Sequence, residues 1–260
     1  MVRGLMSDKE WAFFEPFAIE RGPRRGRPPG DHRLMLDGVF WIARTGAPWR
    51  DLPEQFGKWG SVYRQFRLWS VAGIWDAMPE ALNASGTAPS SVQMIGSTIV
   101  RVHQHASGAT RGLNQESIGR SRGGQTAKIN LRTNSIGLPI AVILSSGETS
   151  DYKGYKPLML EPGPKQEALI AGRGYDSDAI REDMIAREAK PVIPMRRNRK
   201  AQDAVDSAIY ALRNLIERCF NKLKNSRRLA TRYDETTESY LGLVLIASAR
   251  LWCRHFVNTT

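Results

Sequence analysis

Cysteine is nearly absent: Cys219 and Cys253 are the only two in 260 residues, both inside helix-like patterns and without CxxC spacing. That excludes a disulfide framework and a zinc cluster, and it fits a reduced cytosolic compartment. Long apolar runs are missing too. The longest, YLGLVLIASARLW from Tyr240, is cut by Arg250 before it reaches spanning length, and no apolar h-region follows the first methionine. Neither a membrane span nor a signal peptide is expected. Met6 precedes SDKEW, which reads as a helix start, so residues 1–5 are expected to be a tail or a mis-set start. Acid is in deficit, with 26 Asp and Glu against 38 Lys and Arg, a formal charge of +12. The field of such a chain attracts polyanions in a salt-dependent way, which makes nucleic acid the first partner to consider; the plainer reading is that the charge serves solubility.

What is present is unevenly spread. Six of the seven tryptophans fall within the first 75 residues, and the small polar stretch NASGTAPSS follows at 83–91. The composition shift divides the chain into a helical, Trp-rich unit at 6–82, a linker at 83–91 and a second unit at 92–257. A short unit has little volume for a core, and bulky aromatics bury apolar area efficiently within it.

Inside the first unit, Asp31 is placed to cap a helix carrying Leu34, Leu36, Val39, Phe40 and Ala43, with Gly46 as its stop. A second helix is expected after GKWGS, where Val62, Phe66 and Trp69 recur at i, i+4 and i+7 and leave Arg64, Gln65 and Arg67 on the outer side. Short helices ending in an exposed Arg-Gln-Arg set suit a helix-turn-helix reader of DNA; a solvated charged face is the alternative. Between the helices, RGPRRGRPPG at 21–30 reads as an extended basic arm. Its Arg25-Gly26-Arg27-Pro28 core resembles an AT-hook, with Arg25 and Arg27 aimed at a narrow minor groove.

The second unit alternates strand-like and helix-like segments. SVQMIGSTIVRV, AKINLRT, PIAVILSS, EALIAG and KPVIP read as strands, and helices are expected near 153–160, 177–189, 205–228 and 236–257. Three strands, then helix, strand, helix, strand and long helices describe an α/β layout with an antiparallel start. That order resembles the ribonuclease-H-like fold, a mixed sheet flanked by helices.

The segment 205–228 carries the most informative spacing. At about 100° per residue, Tyr210, Arg213, Glu217, Asn221, Lys224 and Arg228 fall on one polar stripe about 80° wide, bordering an apolar face of Leu212, Leu215, Ile216, Cys219, Phe220 and Leu223. One carboxylate among cations has two readings. Either Arg213 and Glu217 form an ordinary i, i+4 ion pair, or Glu217 is a metal-binding carboxylate flanked by groups that hold DNA phosphates.

The Tyr-x2-Arg-x3-Glu-x6-Lys spacing of Tyr210, Arg213, Glu217 and Lys224 resembles the signature of bacterial insertion-sequence transposases of the DDE class. IERCFNKLKNSRRLATRYDET, TGAPWRDLPEQFGKWGSVYRQFRLWSVAGIWD, STIVRVHQHASGA, GRSRGGQTAKINLR, GYDSDAIRE and VIPMRRNRK are similar to the insertion-sequence-5 family over nearly the whole chain. The resemblance implies a ribonuclease-H-like core in which three carboxylates hold two Mg²⁺ or Mn²⁺ ions and cut and join double-stranded DNA at terminal inverted repeats. It further implies a homodimer on DNA and a cytoplasmic, nucleoid-associated bacterial protein. Glu217 is the third of those carboxylates. Where the family reads Asp-Ser-Thr this chain reads Gly96-Ser97-Thr98, and where the family reads Ala-Asp-Lys-Gly-Tyr it reads Ala171-Gly172-Arg173-Gly174-Tyr175.

Glycine supplies neither charge nor ligand, so the expected chain binds DNA and does not cut it. Glu148, Asp151, Asp176 and Asp178 are the neighbouring carboxylates to consider as replacements, with Asp176 expected to cap the helix that starts at Ser177. His103 and His105 form an HxH pair better suited to a loop or to DNA contact than to metal. DNA contacts are expected from Arg111, Arg120, Arg122, Arg196, Arg197, Arg199, Lys200, Tyr210, Arg213, Lys224, Arg227 and Arg228, which position phosphates, while the first unit supplies sequence preference. A repressor or architectural protein derived from a transposase is one alternative. A ribonuclease-H-type nuclease acting on RNA hybrids is another, and it leaves the transposase motifs without a reason.

Overall fold

The computed structural model describes residues 5–18, 30–75, 77–78, 81, 91–108, 112, 116–200 and 204–259. The basic arm with Arg25 and Arg27, most of the linker at 83–91, and Arg111 lie outside the described residues.

Three helices open the chain: α1 (Asp8–Phe14), α2 (His32–Thr45) and α3 (Trp59–Val71). Ser7 and Glu10 close a capping box at α1, and Asp31 accepts from the Leu34 N–H at the start of α2. Gly46 ends α2 at φ 73°, a left-handed position natural to glycine. A Cβ there would also meet Arg227 Cβ at 3.2 Å, so the small residue lets a later helix approach.

The sheet follows: β1 (Val92–Val102), β2 (Gly119–Ser121), β3 (Gly124–Thr133), β4 (Pro139–Ser146), β5 (Ala168–Ile170), β6 (Lys190–Val192) and β7 (Thr231–Arg232). Helices α4 (Tyr155–Leu160), α5 (Asp178–Ala186), α6 (Ser207–Ala211), α7 (Asn214–Lys224), α8 (Arg227–Ala230) and α9 (Thr237–Thr259) complete the elements used below. β4, β3, β1, β5 and β6 lie side by side in that order, with β3 antiparallel to its neighbours and β1, β5 and β6 parallel. This is the ribonuclease-H-like arrangement expected from the order of elements.

β3 occupies one edge of β1 from Met94 to Arg101. The other edge is shared: β5 pairs at residues 92–94 and β7 at 101–102, leaving 95–100 without a partner strand between them. Gly96 lies in that gap, and α7 packs over it. Alternation along β1 sends Met94 and Val100 to one face and Ile95 to the other. The first face packs with Ile216, Cys219 and Phe220 of α7 and with α9, the second with Tyr155, Leu158 and Met159 of α4 and Ile180 and Met184 of α5.

The opening helices share the first of these cores. Phe40, Phe66 and Trp69 belong to one apolar cluster with Met94, Leu131, Leu243 and Val244. Trp69 and Trp75 are buried within it, their ring centroids 5.6 Å apart, and Trp11, Trp41 and Trp49 pack against it.

Several expected exposures are corrected by this packing. Gln65 is buried, and Arg67 donates to Ser239 Oγ at 2.7 Å at the start of α9, so two of the three side chains expected on an outer DNA-reading face are turned inward. Arg64 is exposed. The expected helix 205–228 is three helices, with breaks at 212–213 and 225–226. Its last cation, Arg228, leaves the polar stripe altogether: it is buried, donates to both oxygens of Asp234 at 3.1 and 3.0 Å, and donates to Ala47 O at 3.2 Å. That pair joins the end of α2 to the turn before α9.

Both members of the Arg228–Asp234 pair are over nine-tenths buried, so removing one partner leaves an uncompensated interior charge. Asp234→Ala is expected to lower the unfolding free energy by about 3–5 kcal/mol in urea titrations followed by tryptophan fluorescence. A loss below about 1 kcal/mol, the range of an exposed pair, would show that Arg228 does not depend on Asp234.

Candidate active site

The three positions of the expected carboxylate set come together around α7. Gly96 lies beneath the helix, where an added Cβ would meet Ile216 Cδ1 at 3.2 Å and Phe220 Cε2 at 3.3 Å. Gly172 follows β5, and an added Cβ there would lie 3.4 Å from Arg213 Nη2 and 3.5 Å from Arg213 Nε. Glu217 stands one turn into α7, and its Oε1 accepts from Arg213 Nη2 at 2.6 Å. One guanidinium therefore lies against Gly172 and binds Glu217 at the same time.

The break at 212–213 sets this geometry. The Leu215 and Ile216 N–H groups donate to the carbonyls three residues back, Leu212 O and Arg213 O, so the chain turns tightly before α7 settles. Arg213 is the residue at the entry, and its side chain runs back toward β5. Further along α7, Lys224 Nζ donates to Thr98 Oγ1 at 2.7 Å and to Ile99 O at 3.2 Å, which pins the helix to the unpaired stretch of β1. Burial holds the Lys224 ammonium below its ordinary value, with Glu217 opposing.

None of the neighbouring carboxylates takes the missing places. Asp151 accepts from Ser97 Oγ and Lys128 Nζ, each at 2.7 Å, on the sheet face opposite Gly96. Glu148 lies against Gly119 in β2. Asp178 pairs with Arg199 at 2.6 Å. Asp176 does not cap the following helix, as the sequence suggested: α5 has no side-chain cap, and Asp176 turns inward to accept from Arg181, from Arg199 Nε at 2.8 Å and from the Arg196 N–H at 2.8 Å. Among the described residues no group of three His, Cys, Asp or Glu is placed to hold a metal ion.

The donor set does not fit Mg²⁺ or Mn²⁺. Hard divalent ions need several oxygen ligands, and the one carboxylate present is neutralised by Arg213. The second expected metal position faces a guanidinium, which repels a cation.

The expected DNA-contacting residues divide into three groups. Arg64, Arg120, Arg122, Arg196 and Arg197 are exposed. Tyr210, Arg213, Lys224 and Arg199 are partly buried around the site and the Asp176 cluster, with Arg199 held by Asp176 and Asp178. Gln65, Arg67 and Arg228 are engaged inside the protein. Sequence spacing passed over Arg173 and Ser207, which border a cleft of about 470 Å³ with Gly172, Tyr210 and Arg213. The Gly-Arg-Gly turn at 172–174 was the signal for the first; nothing in the sequence marked the second.

Comparison with known proteins gives two family matches. Residues 6–78 match a model described as "Putative transposase of IS4/5 family" and residues 87–252 one described as "Transposase DDE domain". The chain is similar to "Uncharacterized protein y4sN" of Sinorhizobium fredii, 39% identical over 106 residues that cover 41% of this chain and 83% of that one. It is also similar to the "Putative transposase for insertion sequence element IS6501" of Brucella ovis, 33% identical over 132 residues, 50% of this chain and 99% of the relative. Among solved structures, a cryo-EM structure of the piggyBac transposase synaptic complex with hairpin DNA aligns with a TM-score of 0.49 and 10% identity, over 95% of this chain and 71% of that one.

Asp176 sets the path of the basic stretch after β6. Burial pushes its carboxyl up, but the Arg196 N–H, Arg199 and Arg181 outweigh burial and hold it below the ordinary carboxylate range. The folded form thus gives up this proton more readily than the unfolded chain. Its contribution to stability is complete above the unfolded value of about 3.9 and is lost as pH falls through the lower folded value. Asp176→Asn is expected to cost about 3 kcal/mol or more near neutral pH, with the gap to the native protein narrowing below about pH 4. Urea midpoints across a pH series check this; a gap that ignores pH would assign the loss to packing instead.

Proposed function

The chain belongs to the transposase DDE-domain family, and from that premise we propose that it binds double-stranded DNA at the ends of an insertion sequence without cutting it. The observation that carries the reading is the pair of glycines at 96 and 172, with Arg213 lying where the second carboxylate would stand. DDE-domain transposases use divalent metal ions, one activating the attacking oxygen and one stabilising the leaving oxygen. Losing that assistance removes most of an acceleration that exceeds about a millionfold. The remaining side chains offer no substitute: Glu217 is paired with Arg213, and Lys224 is bound to Thr98 and Ile99.

DNA binding uses other groups. The formal charge of +12 supplies a general attraction. The exposed Arg64, Arg120, Arg122, Arg196 and Arg197 act as phosphate contacts, joined by Arg25 and Arg27 of the arm. Arg64 on α3 is the side chain of the expected reading set that still faces outward, so sequence preference in this proposal rests on α3 and the arm. The protein works as a homodimer on DNA in the bacterial cytoplasm and nucleoid. Among the described residues, no helix is long and apolar enough to cross a membrane. A chain that holds element ends and does not cut them acts as a repressor or an architectural protein.

Incubation with duplex DNA carrying the ends that flank the gene, with Mg²⁺ or Mn²⁺ added, is expected to give a salt-sensitive complex and no nicking. The double variant Gly96→Asp, Gly172→Asp is expected to nick the same DNA; to admit a Cβ at position 96, the ends of the Ile216 and Phe220 side chains must shift by a few tenths of an ångström. Metal-dependent nicking by the native chain would overturn the claim of inactivity. Absence of a retained complex at low salt would overturn the DNA reading.

A further inference from the structure

We propose that the cleft between α2 and α9 is a binding site for a small amphipathic anion, a ligand with a flat apolar body and one carboxylate or sulfonate. Gly96, Gly172 and Glu217 do not border it, and the inference goes beyond the DNA reading above without resting on it.

The cleft holds about 670 Å³, within the range of about 300–1,000 Å³ usual for small-ligand sites. Its apolar lining comes from separate parts of the chain: Phe40 and Trp41 from α2, Leu251 from α9, Leu223 from α7 and Leu138 from the turn before β4. These side chains make a floor of carbon suited to an apolar ring. A DNA duplex, whose outer surface is sugar and phosphate, has no apolar part that reaches into such a concavity. Because α2 belongs to the opening helices and α9 packs on the sheet, an occupant ties the two together and stabilises their junction.

Charge decides the sign of the ligand. Arg44, Lys222, Arg250 and Arg254 border the cleft against one carboxylate, Asp37, and Asp37 already accepts from the Met6 N–H at 2.9 Å. Arg250 is the central group. Its guanidinium carbon stands 4.3 Å from the centre of the Phe40 ring, a cation–π contact that takes the face of the group and leaves its N–H edges. Those nitrogens donate no hydrogen bond among the described residues, and none of them is sealed from the cleft. Burial first and Arg254 second weigh against the charged form of Arg250, and Glu10 and Asp37 oppose them without cancelling them. An anion seated at that edge favours the charged form and offsets the repulsion from Arg254. A guanidinium held on an aromatic ring, exposed cations at Lys222 and Arg254, and a carbon floor thus match a ligand apolar at one end and anionic at the other.

The test uses the full chain and anilinonaphthalene sulfonate, whose fluorescence rises on leaving water, beside phenylnaphthylamine, which has the same rings and no sulfonate. One equivalent of the sulfonate is expected to bind, to raise the melting temperature, and to bind about tenfold or more tighter than the neutral probe. Arg250→Met keeps an apolar stem; it is expected to weaken the sulfonate about tenfold and to leave the neutral probe unchanged. Leu251→Trp fills the cleft and keeps the charges, and it is expected to exclude both probes. Melting curves confirm that each variant folds, and the comparison of the two probes on the native chain decides the question even where a variant does not. Equal affinity for the two probes would overturn the proposal, as would a folded Arg250→Met that binds the sulfonate like the native chain. A melting temperature that falls on adding the sulfonate would overturn it too, since that marks a dye held by loosened states. So would displacement of the sulfonate by duplex DNA or by inorganic sulfate at matched concentration, which would make the cleft a plain anion surface.

Discussion

The unpaired middle of β1 is the constraint on which the rest of the site depends. β3 fixes one edge of the strand, and the opposite edge is taken at its two ends by β5 and β7. A gap held open at both ends requires a lid, and α7 supplies it: Ile216 and Phe220 press onto Gly96, while Lys224 reaches Thr98 and Ile99. That lid carries Glu217 to the end of β5, where Gly172 begins the turn. Three segments far apart in sequence thus meet where backbone pairing leaves one edge open and apolar side chains of α7 pack onto β1.

The meeting place would hold three carboxylates if the family pattern were kept. Clustered carboxylates repel, and they are tolerated where bound cations compensate them. Here the compensation runs the other way. One carboxylate remains, one arginine answers it, and the pair is half exposed, with side-chain exposures of 37% and 48%. An exposed pair of this kind contributes only a few tenths of a kcal/mol, so Arg213 is held by the turn at 212–213 more than by Glu217.

Much of the sheet was legible because its signals are local. PIAVILSS has strand length, an apolar run and turn residues on either side, and β4 spans those same residues. α2 carries both of its end signals, Asp31 and Gly46, and begins and ends beside them. β2 and β7, of three and two residues, had no pattern of their own and exist because β3 and β1 offer edges to them. The polar stripe on 205–228 was legible as a period and misread as a surface. Periodicity finds the face that packs on the nearest neighbour; it carries no information on a second neighbour. α9 is that second neighbour for Arg67, and Asp234 with Ala47 plays the same part for Arg228. The break before α7 had no glycine or proline to announce it, and it is this break that brings Arg213 to Gly172.

The candidate site divides along the same line. Which positions should converge was readable from the motifs, because a family resemblance fixes order along the chain. What fills the vacancy was not, because the polar stripe gives Arg213 a direction around the helix and no reach along it. The persistence of the fold follows from the energetics. Glycine within a strand costs about 0.5–1 kcal/mol relative to alanine, and the loss of two like charges beside Glu217 offsets some of that cost. The core is built on Ile216, Phe220, Met94 and the opening aromatics, none of which touches a metal ion. A scaffold whose stability lies in apolar packing can lose its catalytic carboxylates and keep its shape.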